Sequence, residues 1–163
     1  MKKVLNILVD IFIVLLVFVI ILNIFTISKD KSRKLPSLFG YKFLIDLTES
    51  MIPEISSGDL IVIKEQKSYQ KGDILAYRND DNEIITHRVI DIQNEKYKLK
   101  GDNNNASDDH LIELSKIEGV YKTKIPVLGS ICLFLTSIHG VIFLIILFIS
   151  YFLYQMIKKK YYS

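Results

Sequence analysis

The sequence is poor in the residues from which metal sites and disulfide frameworks are built. It holds one cysteine, Cys132, and three histidines, with no Cys/His spacing that suggests a zinc site. One thiol cannot close an internal disulfide, and the absence of disulfides is compatible with either side of a bacterial membrane. Carboxylates are missing from both ends: every acidic residue except Asp10 lies in the middle of the chain. Internal repeats are absent, and the only low-complexity tract is the asparagine run at 103–105. Tyrosine and lysine mingle near 96–100 and 121–124, but no nucleic-acid motif accompanies them, which excludes nucleic acid as a partner.

What the chain does have is apolar residues in two blocks. Of its 163 residues 50% are hydrophobic, concentrated in Ile11 to Ile27 and Gly140 to Ile157. Both blocks approach or exceed the run needed to cross a bilayer core of ~30 Å. As a helix, Gly140 to Ile157 spans ~27 Å. Between them lies a polar middle of about 110 residues, enough for one small core. The formal charge of +3 comes from the tips, Lys2, Lys3 and Lys158 to Lys160, while the middle is close to neutral. Such a distribution suits membrane flanks.

Lys2 and Lys3 resemble the start of a signal peptide, but the apolar run to Ile27 is too long for one and no small-X-small cleavage site follows. Residues 1–28 are therefore expected to be a membrane anchor helix, with Asp10 at headgroup level. Residues 29–46 read as a tether, polar first and then Pro36 to Gly40. From Leu60 onward the signals are β. Short runs rich in β-branched and aromatic residues occur at Leu60–Ile63, Ile74–Tyr77, Ile84–Ile92 and Tyr97–Lys100. Gly72-Asp73, Asn79 to Asn82 and Gln93 to Glu95 separate them as turns. Val120 with Tyr121 and Ile125 with Val127 predict one or two more strands, closed by Gly129. The expected organisation is a mainly antiparallel β-domain over 47–130, an interfacial segment at 131–139, a second membrane helix at 140–157 and a basic tail at 158–163.

Three blocks in the middle carry chemistry. Leu47-Thr-Glu-Ser-Met-Ile-Pro-Glu-Ile-Ser-Ser-Gly-Asp-Leu60 presents the Ser50 hydroxyl ahead of a proline that stiffens the turn. Serine is a weak nucleophile and needs a base in reach, with an acceptor to orient that base. Thr86-His-Arg-Val89 offers the base. In a strand from Ile84 to Ile92, His87 shares a face with Ile85 and Val89, and such burial favours the neutral imidazole that a general base requires. Gly101-Asp-Asn-Asn-Asn-Ala-Ser-Asp-Asp109 offers the acceptor, with Asp102 and Asp108 dividing the carboxylate roles. His110 and His139 have no comparable surroundings.

Together with Lys71-Gly-Asp-Ile-Leu-Ala-Tyr77, these blocks resemble, in order, those of the type I signal peptidases. The resemblance is to the Ser–His branch found in the endoplasmic reticulum, archaea and some Gram-positive bacteria, and it covers about residues 40 to 130. It implies a small antiparallel β-domain between two transmembrane helices, with Ser50 as nucleophile, His87 as base and Asp108 as the triad acid. Asp102 would structure the site. The Ser50 backbone N–H and the Thr48 hydroxyl would meet the oxyanion, a single such donor being worth ~3 kcal/mol. The implied reaction is acyl transfer through an acyl-enzyme, without metal or other cofactor. The implied substrates are the signal peptides of exported preproteins, with small residues one and three positions before the cut.

Charge alone does not orient the chain. Lys29 to Lys34 argues for an outside N-terminus, and Lys158 to Lys160 for an inside C-terminus. The resemblance resolves the conflict by implying an integral plasma-membrane protein, bacterial or archaeal, with its β-domain on the outer face and both termini cytoplasmic. A Ser–Lys mechanism would need lysine at position 87. The chain departs from the family pattern at Glu49, where glycine is usual, and at Ile52, where glutamate is common. Glu49 gives weight to an alternative, a catalytically silent membrane-anchored β-domain that acts as scaffold or partner subunit.

Overall fold

The computed structural model describes residues 37–162, with side chains to Lys158, together with Ile7, Ile11, Phe12, Val14 and Leu35. The chain divides into two units, Lys29–Ser130 and a second made of Met1–Ser28 with Ile131–Ser163.

The first unit is a seven-stranded antiparallel sheet. Its strands are β1 (Ser37–Leu38), β2 (Tyr41–Ile45), β3 (Leu60–Lys64), β4 (Ile74–Arg78), β5 (Ile84–Gln93), β6 (Lys96–Lys100) and β7 (Ile117–Ile125), in the spatial order β1-β2-β3-β7-β4-β5-β6. The last strand is thus inserted between β3 and β4. The expected β-domain is what the chain forms, but it begins earlier than the sequence suggests. The stretch read as a tether, 29–46, contains β1 and β2. They join through Phe39 and Gly40, both with positive φ (52° and 78°), in a two-residue turn of the kind that matches the strand twist. Phenylalanine is an uncommon occupant of that conformation, so the turn has no strong sequence signal. Asn94 and Glu95 (φ 49° and 63°) make the same kind of turn between β5 and β6, where Gln93 to Glu95 is expected to turn.

At the centre of the sheet, Ile117–Ile125 forms one continuous strand. Val127 lies beyond it, and Gly129 stands inside a helix rather than closing a strand. Space explains that glycine: a Cβ on Gly129 would come within 2.6 Å of the Gly58 carbonyl and the Ile45 side chain.

At its centre the sheet is buried on both faces. In β4 the alternation sends Leu75 and Tyr77 one way and Ile74 the other. Leu75 and Tyr77 join Tyr69, Val89, Tyr97, Leu99, Ile112, Ile117 and Val120 in the larger core. Ile74 packs with Met51, Ile55 and Ile61. Met51 and Ile55 are fully buried, so the segment carrying Ser50 is nailed to the smaller core from the residue immediately after the serine. Burying two such side chains contributes about 4 kcal/mol towards holding that turn in place.

After the sheet, α1 (Leu128–Thr136), whose first three residues belong to the first unit, runs into α2 (Ile138–Tyr162) with Ser137 between them. Ser137 ends one helix and starts the other. Its N–H reaches the Leu133 and Phe134 carbonyls, while its Oγ accepts the Gly140 N–H at 3.1 Å. A Cβ at Gly140 would strike the Phe134 carbonyl at 2.0 Å, so glycine is required for the close junction. The 21 residues Ile138–Lys158 are long and apolar enough to cross a membrane, ~32 Å as a helix. They contain the expected span 140–157. The expected N-terminal span at 1–28, with Asp10, lies outside the described residues, apart from Ile7, Ile11, Phe12 and Val14. Of these, Phe12 stacks on Phe148 of α2 with ring centroids 4.1 Å apart.

Candidate active site

Ser50 lies in a turn between β2 and β3. The Ile52 N–H reaches the Glu49 carbonyl at 3.3 Å and the Ile55 N–H reaches the Met51 carbonyl at 2.9 Å. The Ile52–Pro53 peptide is cis. The turn is also tied across the sheet. Asn103 donates its backbone N–H to the Ser50 carbonyl at 2.8 Å and its side-chain amide to the Glu49 carbonyl at 3.2 Å. Gly101 is what allows that approach. A Cβ there would sit 2.8 Å from the Ser50 carbonyl oxygen and 2.8 Å from the Asn104 amide, closer than side chains tolerate. Gly101 therefore makes room for the serine's own backbone.

The Ser50 hydroxyl has a close neighbour in Thr48, whose Oγ1 lies 3.1 Å from Ser50 Oγ. Thr48 is itself held by Asp46, which accepts both the Thr48 N–H at 2.8 Å and its hydroxyl at 2.9 Å. Among the described residues the Ser50 backbone N–H has no acceptor.

His87 stands in β5 opposite Leu75 of β4, on the face of Ile85 and Val89 as period-2 alternation requires. Its side chain is 8% exposed. Nδ1 lies 2.8 Å from Asp108 Oδ1 and 2.9 Å from Oδ2, so a ring carrying one N–H donates it there and has Nε2 as its acceptor. Nε2 has no partner among the described residues, yet none of their buried side-chain nitrogens or oxygens is left unpaired. The free nitrogen is therefore open to solvent. No hydrogen bond links Ser50 to His87 in this structure.

Asp108 is fixed by three contacts. Its backbone N–H reaches the Leu99 carbonyl at 2.9 Å, its carboxylate meets His87, and Tyr77 donates to Oδ2 at 2.8 Å. Burial, reinforced by the Asp108 carboxylate, pushes the Tyr77 hydroxyl well above the ordinary phenol range, so Tyr77 stays a donor. Asp109 is exposed. Asp102 faces Arg88 instead, accepting its Nε at 2.8 Å and its Nη2 at 2.5 Å, while Arg88 Nη1 donates to the Gly72 carbonyl at 3.0 Å. That fork clamps the start of the Gly101–Asp109 loop to the Gly72-Asp73 turn. The structure thus brings Asp108 to His87 and Thr48 to Ser50, and gives Asp102 to Arg88.

The region that holds these groups matches the Peptidase S24-like family model over residues 43–131. The chain belongs to the Peptidase S24-like family. The chain is also similar to Signal peptidase I W of Bacillus subtilis (strain 168), with 35% identity over 128 residues. That alignment covers 74% of this chain and 66% of the relative, just under two thirds of its length. The S24-like match and this relative together support a type I signal-peptidase-like branch.

Three residues of this S24-like site are not singled out by sequence reasoning. Asn103 is hidden in an asparagine run whose members look alike. Tyr77 has a signal in principle, since alternation along Ile74-Leu-Ala-Tyr77 puts it on the face of Leu75 and hence of His87. Asp46 has one too, as an acid within Leu44-Ile-Asp-Leu47. Glu49 is exposed and is not among the residues with positive φ, so a left-handed backbone is not what the family's usual glycine would supply here.

Proposed function

We propose that the protein is a membrane-bound serine endopeptidase that removes N-terminal signal peptides from exported preproteins. The observation that carries this reading is the His87–Asp108 pair. Its bonded Nδ1 and open Nε2 are what a neutral general base needs, and its loop is the one tied through Asn103 to Ser50. Ser50 Oγ attacks the carbonyl before the cleavage point as His87 Nε2 takes its proton. Asp108 holds the ring's tautomer and stabilises the imidazolium that forms. The imidazolium then returns its proton to the leaving amine, and water activated by the same nitrogen hydrolyses the acyl-enzyme. The Ser50 N–H meets the oxyanion. Apo geometry commonly leaves the nucleophile–base contact unmade until substrate arrives.

Ile138–Lys158 provides a membrane anchor beside the domain in sequence, in keeping with a substrate whose cleavable segment is itself apolar. The domain acts on the outer face, with both termini inside. The test is to incubate detergent-solubilised protein with an exported precursor and sequence the new N-terminus. Cleavage after a small residue at the end of the signal peptide supports the reading. An intact precursor favours the silent scaffold.

A further inference from the structure

Asp46 closes β2 and is 6% exposed, although nothing in its sequence surroundings demands a carboxylate. Its backbone is engaged on both sides: its N–H reaches the Asp59 carbonyl at 3.1 Å and its carbonyl accepts the Gly58 N–H at 2.7 Å. Its Oδ1 accepts both the Thr48 N–H and the Thr48 hydroxyl. A threonine hydroxyl carries a single hydrogen and a carboxylate carries none, so the Thr48 hydrogen lies on Asp46. The hydrogen in the 3.1 Å contact between Thr48 and Ser50 must then be the serine's. Ser50 rests with its proton turned towards Thr48, and Thr48 has none left to give.

From this we infer that Asp46 is a positioning residue that withholds the Thr48 hydroxyl from the reaction. The inference rests on the peptidase reading given above. In the attack, the Ser50 Oγ–carbon bond forms, the serine proton passes to His87 Nε2, and the carbonyl electron pair moves onto oxygen. Thr48 can stabilise that oxygen, or Ser50 Oγ as it loses its proton, only by turning its hydrogen away from Asp46. A hydrogen bond to a carboxylate is roughly twice as strong as one between neutral groups, so Asp46 opposes the turn. The expected role of Thr48 as oxyanion donor is thereby held in check by a neighbour four residues before the nucleophile.

Asp46→Asn keeps the size and an acceptor for the Thr48 N–H but weakens the hold on the hydroxyl. In precursor cleavage it is expected to raise kcat about fivefold while KM stays within about twofold. Thr48→Ser keeps the hydroxyl and should preserve that gain. Thr48→Val removes the hydroxyl, and in that background Asp46→Asn should leave kcat unchanged. A merely structural Asp46 predicts the opposite: a fall in kcat, of equal size in both backgrounds. Either that fall or an Asp46→Asn chain that does not fold overturns the inference. A gain that persists in Thr48→Val overturns it too, because the effect would not run through the hydroxyl. Those outcomes leave wild-type cleavage intact. A wild-type chain that cuts no precursor removes the peptidase reading and this inference with it.

Discussion

Asp108 is bonded to His87 through both carboxylate oxygens, at 2.8 and 2.9 Å from Nδ1, whereas Asp109, one residue on, is exposed. Adjacent carboxylates in one loop thus have unequal prospects. Asp108→Ala should lower the rate of precursor cleavage about a thousandfold or more through loss of the tautomer and of imidazolium stabilisation. Asp109→Ala should change it less than about threefold. Initial rates on one precursor decide this, and equal losses would remove Asp108 from the acid's role.

Tyr77 supplies the third anchor of that carboxylate. Tyr77→Phe keeps the packed ring and deletes the hydrogen bond, so stability should fall by about 1 kcal/mol. Cleavage should slow by about tenfold in kcat with little change in KM, because the acid loses its orienting donor. Chemical denaturation and steady-state kinetics on the same preparation separate the two effects. A variant that loses stability and keeps wild-type kcat would make Tyr77 a core residue only.

Gly101 tests the link between the two halves of the site. A Cβ 2.8 Å from the Ser50 carbonyl forces the Asn103 loop and the serine turn apart. Gly101→Ala should cut cleavage by about a hundredfold, well beyond what its loss of stability explains. Wild-type activity in this variant would mean that the loop does not position Ser50.

The fold should soften in acid for a reason away from the site. Burial acts to raise the Glu118 carboxyl, but bonds from Lys42 at 2.8 Å and Arg78 at 2.5 Å outweigh it and leave it below the usual glutamate value. A carboxyl lowered in the folded state stabilises the protein above its unfolded value of ~4.3, and that contribution is lost as pH falls through the folded value. Wild-type melting temperature should therefore drop as the solution is taken below about pH 4. Glu118→Gln should cost about 2 kcal/mol at neutral pH and show a shallower acid slope. An unchanged slope would assign the acid sensitivity to other groups.

Much of this architecture is legible in the chain because its strands are built from β-branched runs between polar turns. β5 is the clearest case: alternation alone puts His87 with Ile85 and Val89, and that is the face it occupies. What escapes the sequence is long-range. Nothing local says that β7 slots between β3 and β4, or that Phe39 turns a hairpin in a stretch that looks like a tether. Among the site residues, Ser50, His87 and Asp108 stand in recognisable blocks. Their helpers Asn103 and Tyr77 act through contacts made across the fold, while Asp46 acts on Thr48, two residues on.

The proposal that Ser50 and His87 work as one nucleophilic unit is measured directly by comparing single with double substitutions. Ser50→Ala, His87→Ala and the double variant should share nearly the same residual cleavage rate, because either change alone disables the unit. If the losses instead multiply, or if Ser50→Ala still cleaves the precursor at the wild-type rate, the account of this site is wrong.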